Sequence, residues 1–448
     1  MYPKINKNNP KNLISISHLK IKRLKIGIVT RWFWPFIGGP AIHVYELVNW
    51  LAQKGHEVHL LIPPEEYLGL KKKNSLSLPC VVHYIRYPEI KGFFKIGYID
   101  NWTYYFKIAF RNAQYIRNLK LDILHGHTPN FSYLTNILGK MINVPTIITL
   151  HFSVRLGLSI DEKCFLYCQS MDLDKCLNCS NSGISNIKEK IWNIGIKKIF
   201  IQSTNRIITT SKLIKNNLIK HYKFMNNISC VPNWVDLQRF KFTKDDPDLL
   251  NKFKINKKEK IILYCGHIFE RKGIEYLIQA MPEISRNIND CKLLITGELN
   301  SKDPFHTKIG ELINQLRLEN NIIFVGYFGY KDMPKLYSIA DLFILPSLEE
   351  AQPLVLLEAM AARVPIVTTS LDPIKEVIKD GENGILVKPR NSEEISKAAI
   401  RILKDNKLIQ RLVQKGYKTV KQKFSKDKVI PKILKIYKQE IGKYFQKP

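Results

Sequence analysis

Short apolar segments alternate along the chain with longer segments whose apolar residues recur every three or four positions. Residues 25–30 (KIGIVT) form the first apolar segment, and residues 41–54 follow with an apolar helical face from Val44 to Leu51. Further apolar segments lie at 58–62, 122–124, 146–150, 206–209 and 228–231. Strands that alternate with amphipathic helices predict a parallel sheet with helices on both faces.

This alternation stops between residues 231 and 260, where proline and charged residues predict a linker. A second series of strands is predicted at 261–265, 292–296, 322–325, 342–345, 366–368 and 385–387. We therefore expect an α/β protein with two facing, Rossmann-like, doubly wound domains, at residues 23–232 and 233–425. A cleft should lie between the domains at the carboxyl ends of their strands, where such sheets bind ligands.

The two ends of the chain differ from this pattern. Residues 1–22 contain five lysines and no acid, which predicts a basic disordered tail and not a signal peptide. Residues 426–448 predict a basic helix, with Ile433, Ile436 and Tyr437 on one face, that packs back on the N-terminal domain. No apolar run approaches the roughly 18–20 residues of a membrane span. We therefore expect a cytoplasmic protein.

The formal net charge of +31 favours an anionic partner or surface. From Arg411 onward there are twelve basic residues and two acids. Residues 91–120 interleave lysine and arginine with aromatic residues, which is typical of a membrane interface but also of an amphipathic helix with aromatic residues in the core. An anionic membrane surface, nucleic acid and a generally lysine-rich composition all remain open at this point.

Four cysteines cluster in a predicted insertion at about residues 161–183: Cys164, Cys168, Cys176 and Cys179. Their spacing suits a tetrahedral structural zinc site, in which four sulfur ligands leave no open position. The alternative is a set of free thiols in a loop.

The most specific motif is the segment at 346–361 (PSLEEAQPLVLLEAMA). Glu350 follows a predicted strand, and Glu358 lies eight positions later, inside a helix that is predicted to begin near Pro353. The free N–H groups at this helix start, around Leu354, form a potential anion site. By itself, such a pair of acids is also found on capped helices where both carboxylates are merely solvated.

This segment resembles the Glu-x7-Glu motif of the family 4 retaining glycosyltransferases (glycosyl transferases group 1), which have the two-domain GT-B fold. The resemblance extends over about residues 25–389, although 351–353 read Ala-Gln-Pro where the family has Gly-Phe-Gly. It implies a nucleotide-diphosphate sugar as donor substrate, bound by the C-terminal domain. In that case Glu350 contacts the transferred sugar and Glu358 contacts the nucleotide ribose.

Other family motifs follow in the same order. Gly38 and Gly39 resemble the glycine loop after the first strand, and residues 122–127 (DILHGH) resemble a strand end that points His127 toward the sugar. Residues 231–236 (VPNWVD) resemble the crossing between the domains, with Trp234 in place of a glycine. Residues 266–273 (GHIFERKG) resemble the diphosphate loop, which implies that Gly266, His267 and Lys272 contact the donor. His267 replaces an arginine and so lacks its permanent charge.

We therefore expect a retaining hexosyltransferase, with His127, Glu350 and Lys272 in catalysis and a glycan or lipid-linked acceptor of the cell envelope at the inner membrane face. No metal or other cofactor is required, because Lys272 and helix N–H groups can stabilise the leaving diphosphate. A nucleotide-sugar epimerase of the same fold is the alternative enzyme. A basic nucleic-acid-binding protein is the alternative of another class, but it gives no reason for the arrangement of Glu350 and Glu358.

Overall fold

A computed structural model of the chain describes residues 23–31, 33, 38–64, 78–86, 102–127, 129–151, 203–222, 227–240, 246–297, 299–300 and 302–446. The four clustered cysteines, Cys164, Cys168, Cys176 and Cys179, lie outside these residues, as do the N-terminal tail, residues 34–37 of the glycine loop and residues 91–101. Within the described part of the chain, no helix is long and apolar enough to cross a bilayer.

The N-terminal domain is built on a seven-stranded parallel sheet in the order β3-β2-β1-β4-β5-β6-β7. Its strands are β1 (Lys25–Val29), β2 (Glu57–Ile62), β3 (Val81–Tyr84), β4 (Ile123–His127), β5 (Thr146–Leu150), β6 (Arg206–Thr209) and β7 (Ile228–Cys230). Its helices are α1 (Gly39–Gln53), α2 (Trp102–Asn118), α3 (Pro129–Ile142) and α4 (Lys212–Tyr222). The strand order reverses between β1 and β4, and such a switch point leaves a ligand crevice at the carboxyl ends of the strands.

The C-terminal domain repeats this architecture on a six-stranded parallel sheet, in the order β10-β9-β8-β11-β12-β13. Its strands are β8 (Lys260–Tyr264), β9 (Cys291–Thr296), β10 (Ile322–Gly326), β11 (Leu342–Leu345), β12 (Ile366–Thr369) and β13 (Ile385–Val387). Its helices are α5 (Pro247–Lys252), α6 (Ile274–Asn287), α7 (Pro304–Gln315), α8 (Met333–Ile339), α9 (Leu354–Ala361), α10 (Asp372–Lys375), α11 (Ser392–Lys404) and α12 (Asn406–Thr419). The apolar strands are buried on both faces, which explains why they read as nearly continuous hydrophobic runs.

A final helix, α13 (Lys426–Phe445), returns to the N-terminal domain. Val429, Ile430 and Ile433 are fully buried in the same hydrophobic core as β1 and α1. Polar contacts fix the helix further, because Glu440 accepts a hydrogen bond of 3.0 Å from Arg206 Nε at the start of β6. The last helix of the chain therefore belongs structurally to the first sheet.

The prediction of a linker between residues 231 and 260 was wrong in part. Helix α5 forms there, and its Leu249 and Leu250 are buried in the core of the C-terminal domain. The acidic and proline-containing sequence that indicated a break is the start of this helix. The Asp246 side chain caps it by accepting from Leu249 N at 3.1 Å, and Pro247 occupies the first helical position.

Candidate active site

The loop after β8 brings Lys272 to the end of β11. Gly273 has a φ of +65°, and a Cβ atom there would lie 2.0 Å from the carbonyl oxygen of Pro346, so the chain can approach this closely only at a glycine. The loop is tied to the segment after β11 by the hydrogen bond from Leu348 N to Arg271 O, at 2.8 Å. This packing places Lys272 beside Glu350.

Lys272 and Glu350 form a largely buried ion pair. Lys272 Nζ lies 2.6 Å from Glu350 Oε1, and the side chains are 15% and 8% exposed. The Ser347 hydroxyl donates to the same carboxylate oxygen at 2.8 Å. Because an isolated buried charge is costly, each partner of the pair compensates for the burial of the other. The structure thus brings together two of the residues that the resemblance implies for the donor. Ser347, which the sequence did not indicate, contacts the same carboxylate.

Glu358 lies on the second turn of α9 and is fully buried in the C-terminal domain. The Tyr337 hydroxyl donates to its Oε2 at 3.0 Å. Burial raises the pKa of the Glu358 carboxyl above its usual value, and the nearby Arg239 guanidinium opposes that rise. Arg239 stacks on Tyr330, with its central carbon 3.1 Å from the ring centre. No sequence motif indicated Arg239, Tyr330 or Tyr337, because these residues become neighbours of Glu358 only in the folded chain.

Helix α9 begins at Leu354, and Pro353 is the N-cap residue, so the helix starts one residue later than the sequence suggested. The glycine loop of the N-terminal domain approaches this helix start from across the cleft. Gly38 caps α1, and a Cβ atom at Gly39 would lie 3.7 Å from Leu354 Cδ1. The first N–H groups of α9 have no partner within the helix and are suited to hold an anion.

The loop at residues 266–273 is held by hydrogen bonds to its backbone. Gly266 N donates to Thr296 Oγ1 at 3.1 Å, and the carbonyl of His267 accepts from the Tyr264 hydroxyl at 3.0 Å. The His267 side chain is exposed, and its ring stacks on Phe269 with 5.3 Å between the ring centres.

His127 is fully buried at the carboxyl end of β4, where it lies against the rings of His43, His125 and His151. His127 Nδ1 lies 3.2 Å from His151 Nε2, and the ring of His43 is 5.5 Å from that of His127. Burial lowers the pKa of His43 to about 3 and holds the pKa values of His127 and His151 well below their usual range. All three imidazoles are therefore neutral at physiological pH. The sequence indicated His127, but not His43.

The crossing between the domains is tied to the motif segment. Asn233 N donates to Gln352 Oε1, and Asn233 Nδ2 donates to Gln352 O at 2.8 Å. Gln352 stands where the family pattern has phenylalanine, so this departure creates a link between the domains. Trp234, which replaces a glycine, has an ordinary negative φ and packs on His43 with 4.0 Å between ring centres. The substitution therefore puts no strain on the backbone.

Two family models match consecutive parts of the chain. The model described as Glycosyltransferase Family 4 matches residues 37–239, and the model described as Glycosyl transferases group 1 matches residues 245–419. The first match covers β2 to β7 of the N-terminal sheet, and the second covers all six strands of the C-terminal sheet. The chain therefore belongs to the family 4 glycosyltransferases, it is an enzyme of that class, and its architecture is the GT-B fold.

Individual proteins agree with this assignment. The chain is 27% identical over 423 residues to the N-acetyl-alpha-D-glucosaminyl L-malate synthase of Bacillus anthracis, which covers 93% of this chain and 97% of that one. The fold matches sucrose-phosphate synthase from Thermosynechococcus elongatus with a TM-score of 0.72, at 19% identity over 94% of this chain and 100% of that chain. It also matches Anabaena HepE in complex with UDP and glucose, with a TM-score of 0.69, at 16% identity over 92% of this chain and 99% of that chain.

Proposed function

We propose that this glycosyltransferase moves a sugar from a nucleoside diphosphate donor to its acceptor with retention of the anomeric configuration. The observation that carries the proposal is the buried pair of Lys272 and Glu350 at the amino end of α9, at 2.6 Å. An anion such as the donor diphosphate would compete for Lys272 and for the free N–H groups near Leu354. The residues of the donor site are therefore assembled before the donor arrives.

In this reaction the bond between the anomeric carbon and the diphosphate oxygen breaks, and the acceptor oxygen forms a new bond to the same carbon. Negative charge develops on the departing diphosphate, and Lys272 with the start of α9 would stabilise it without reorganising. The acceptor attacks from the face that the diphosphate leaves, so its hydroxyl proton can pass to a phosphate oxygen. Retention follows from this geometry, and Glu350 and His127 would hold the sugar hydroxyls.

Glu358 is proposed to bind the ribose of the nucleotide. Tyr337 occupies one oxygen of its carboxylate, and the other would accept hydrogen bonds from the ribose hydroxyls. Gly266, His267, Gly38 and Gly39 would line the approach of the diphosphate and the sugar, where the three glycines present no side chain. HepE was solved with UDP and glucose, which makes uridine diphosphate sugars the first donors to test.

The acceptor is proposed to be a lipid or a lipid-linked glycan at an anionic membrane surface. Support comes from α2, on which Phe106, Phe110 and Tyr115 are 45%, 73% and 52% exposed, whereas Tyr105 is buried in the core. Lys107 and Arg111 lie on the same helix, and aromatic side chains among basic ones suit an interface with anionic lipids. Tyr105 thus fits an amphipathic helix with aromatic residues in the core, and the exposed aromatic side chains are the ones proposed to meet the membrane.

The test begins with a thermal-shift screen of nucleotide sugars, and the best donor is then incubated alone, with lipid acceptors in anionic vesicles, and with L-malate. Transfer to the lipid acceptor supports the full proposal. Transfer to malate, the acceptor that the name of the Bacillus relative implies, would support the reaction but contradict the lipid acceptor. Conversion of the donor sugar in the absence of any acceptor would contradict transfer and identify an epimerase.

A further inference from the structure

Three histidine side chains converge at the switch point of the N-terminal sheet. His43 comes from α1, His127 from the end of β4, and His151 from the residue that follows β5. One nitrogen of each ring lies within 4.8 Å of the corresponding nitrogens of the other two, and all three residues are buried. Among the described residues, this is the one group of histidine, cysteine or acidic side chains with the spacing of a metal site.

The distances suit a small tetrahedral ion. With Zn–N bonds of about 2.0–2.1 Å, tetrahedral geometry places neighbouring ligand nitrogens about 3.3–3.4 Å apart. His127 Nδ1 and His151 Nε2 are already 3.2 Å apart. His43 offers a nitrogen within 4.8 Å of both, so its ring would move closer to them when an ion binds.

The hydrogen bonds that described residues form with His43 engage only one of its two ring nitrogens. His43 Nδ1 is 3.0 Å from Asn233 Oδ1, to which it donates, and this bond fixes the tautomer that carries a lone pair on Nε2. His43 Nε2 is buried and has no hydrogen-bond partner in the described part of the chain, and the same holds for His127 Nε2. A metal-bound histidine commonly has this arrangement, with an amide or carboxylate oxygen on the outer nitrogen.

The chemistry of the group selects the kind of ion. All three ligands are imidazoles, and an imidazole binds a metal ion through the lone pair of a ring nitrogen. The set contains no carboxylate, so it does not suit Mg²⁺ or Ca²⁺, which take oxygen ligands. Neutral imidazoles suit Zn²⁺ and neighbouring transition ions.

We propose that His43, His127 and His151 bind one Zn²⁺-like ion at the cleft edge of the N-terminal domain. Three protein ligands leave one tetrahedral position for a water molecule or an oxygen of a substrate. This site shares His127 with the proposed sugar contact, but it contains no residue of the diphosphate site in the C-terminal domain, so it does not depend on how the leaving group is stabilised. The cysteines at 164–179 are candidate metal ligands themselves, and the experiment must remove them as competitors.

The experiment uses the full chain in which Cys164, Cys168, Cys176 and Cys179 are replaced by serine, stripped with a chelator and titrated with Co²⁺. We expect one equivalent to bind, with the intense visible absorption of tetrahedral Co²⁺ and no thiolate charge-transfer band. X-ray absorption of the Zn²⁺-loaded protein should show three imidazole ligands. Both measurements need no histidine variant, so they hold even where such a variant fails to fold. An excess of Mg²⁺ should not displace the ion.

Variants then assign the ligands. His151→Gln should lose the bound equivalent, whereas His151→Cys should retain it and add a thiolate charge-transfer band. Asn233→Ala should weaken binding by about 10- to 100-fold, the usual effect of losing an outer partner. His125→Gln is the matched control and should bind as the parent does, because both nitrogens of this buried ring are already engaged, by Tyr437 at 2.6 Å and Thr149 at 2.7 Å.

The proposal is overturned if the cysteine-free chain binds no Co²⁺, or binds it with the weak absorption of an octahedral site. It is equally overturned if the folded His151→Gln variant binds the ion as tightly as its parent. In either case His127 and His151 simply share a hydrogen bond.

Discussion

Glu350 Oε1 lies 2.6 Å from Lys272 Nζ, although the two residues are 78 positions apart in the chain. Each belongs to a different loop at the carboxyl edge of the C-terminal sheet, and Gly273 permits the approach of these loops. The pair is buried enough that neither charge is well solvated. In the proposed activity, the diphosphate of the donor binds Lys272 and the sugar hydroxyls bind Glu350. Each residue thus exchanges its partner in the ion pair for a group of the donor.

Replacement of this lysine should therefore reduce transfer strongly. Lys272→Ala removes a fixed positive charge from the departing diphosphate, and the loss of one such stabilising group commonly costs about 10²- to 10³-fold in kcat. The measurement is the steady-state rate with the donor found by thermal shift. Lys308→Ala is the control, because Lys308 forms a 3.0 Å pair with Glu275 on the exposed surface of the same domain. Equal rates for the two variants would exclude a special role of Lys272.

Glu358 should make stability depend on pH. Burial raises the pKa of its carboxyl, so the folded state binds more protons than the unfolded state above the ordinary value of 4.5. Its contribution to the free energy of unfolding is present in full below that value and is lost as pH rises through the folded-state pKa. Glu358→Gln removes this titration. The melting temperature of the variant minus that of the wild type should therefore increase as pH rises from about 4 to 8.

The same Glu358→Gln variant should bind the donor nucleotide more weakly, because it loses a charged acceptor for the ribose hydroxyls. Calorimetric titration with the nucleoside diphosphate measures this affinity. Parallel melting curves across the pH range, together with unchanged affinity, would contradict both the burial effect and the ribose contact.

The link between Gln352 and Asn233 should stabilise the junction of the domains. Gln352→Ala leaves the buried Asn233 N–H without its acceptor, and an unsatisfied buried group costs about 1–3 kcal/mol. Chemical denaturation should show this loss, and Gln410→Ala, at an exposed position of α12, serves as the control. A loss that is no larger than the control's would mean that water replaces the side chain and that the junction does not depend on this contact.

Membrane association should depend on the exposed aromatic residues of α2. Phe106→Ser combined with Phe110→Ser should lower sedimentation with anionic vesicles without lowering the melting temperature, because both side chains are already exposed. Added salt should release the wild-type protein, since exposed charges are screened within about 10 Å at 0.1 M. Binding to neutral vesicles that equals binding to anionic ones would argue against the proposed surface.

Much of this architecture was predictable from the sequence, because it depends on local patterns. The apolar run at 25–30 and the helical face from Val44 to Leu51 confirm the α/β prediction in β1 and α1, and the basic C-terminal segment forms α13. Helix α5 was missed because its Asp246 cap and Pro247 look like a turn when the buried Leu249 and Leu250 are not considered together with them. An aspartate followed by a proline can indicate either a turn or the start of a helix, and the packing of the following side chains decides which of them forms.

The contacts between distant residues of the chain were harder to predict from the sequence. His43 Nδ1 meets an oxygen of Asn233 that is 190 positions away, and Glu376 accepts from Lys212 N at the start of α4 across 164 positions. Such pairs cannot be predicted from the periodic pattern of apolar residues, because the order of the strands in the sheet brings them together. The family motif indicated Lys272, Glu350 and Glu358 individually, and only the fold shows that the first two form an ion pair.

The anomeric configuration of the product tests the proposed retaining transfer most directly. With the donor selected by thermal shift and its acceptor, proton NMR follows the anomeric signal of the donor sugar and that of the new glycoside during turnover. We expect an α-configured donor to give an α-linked product, and Lys272→Ala to slow the appearance of both this product and the free nucleoside diphosphate. A β-linked product from the same donor would contradict attack from the leaving-group face and the role assigned to the site at the start of α9.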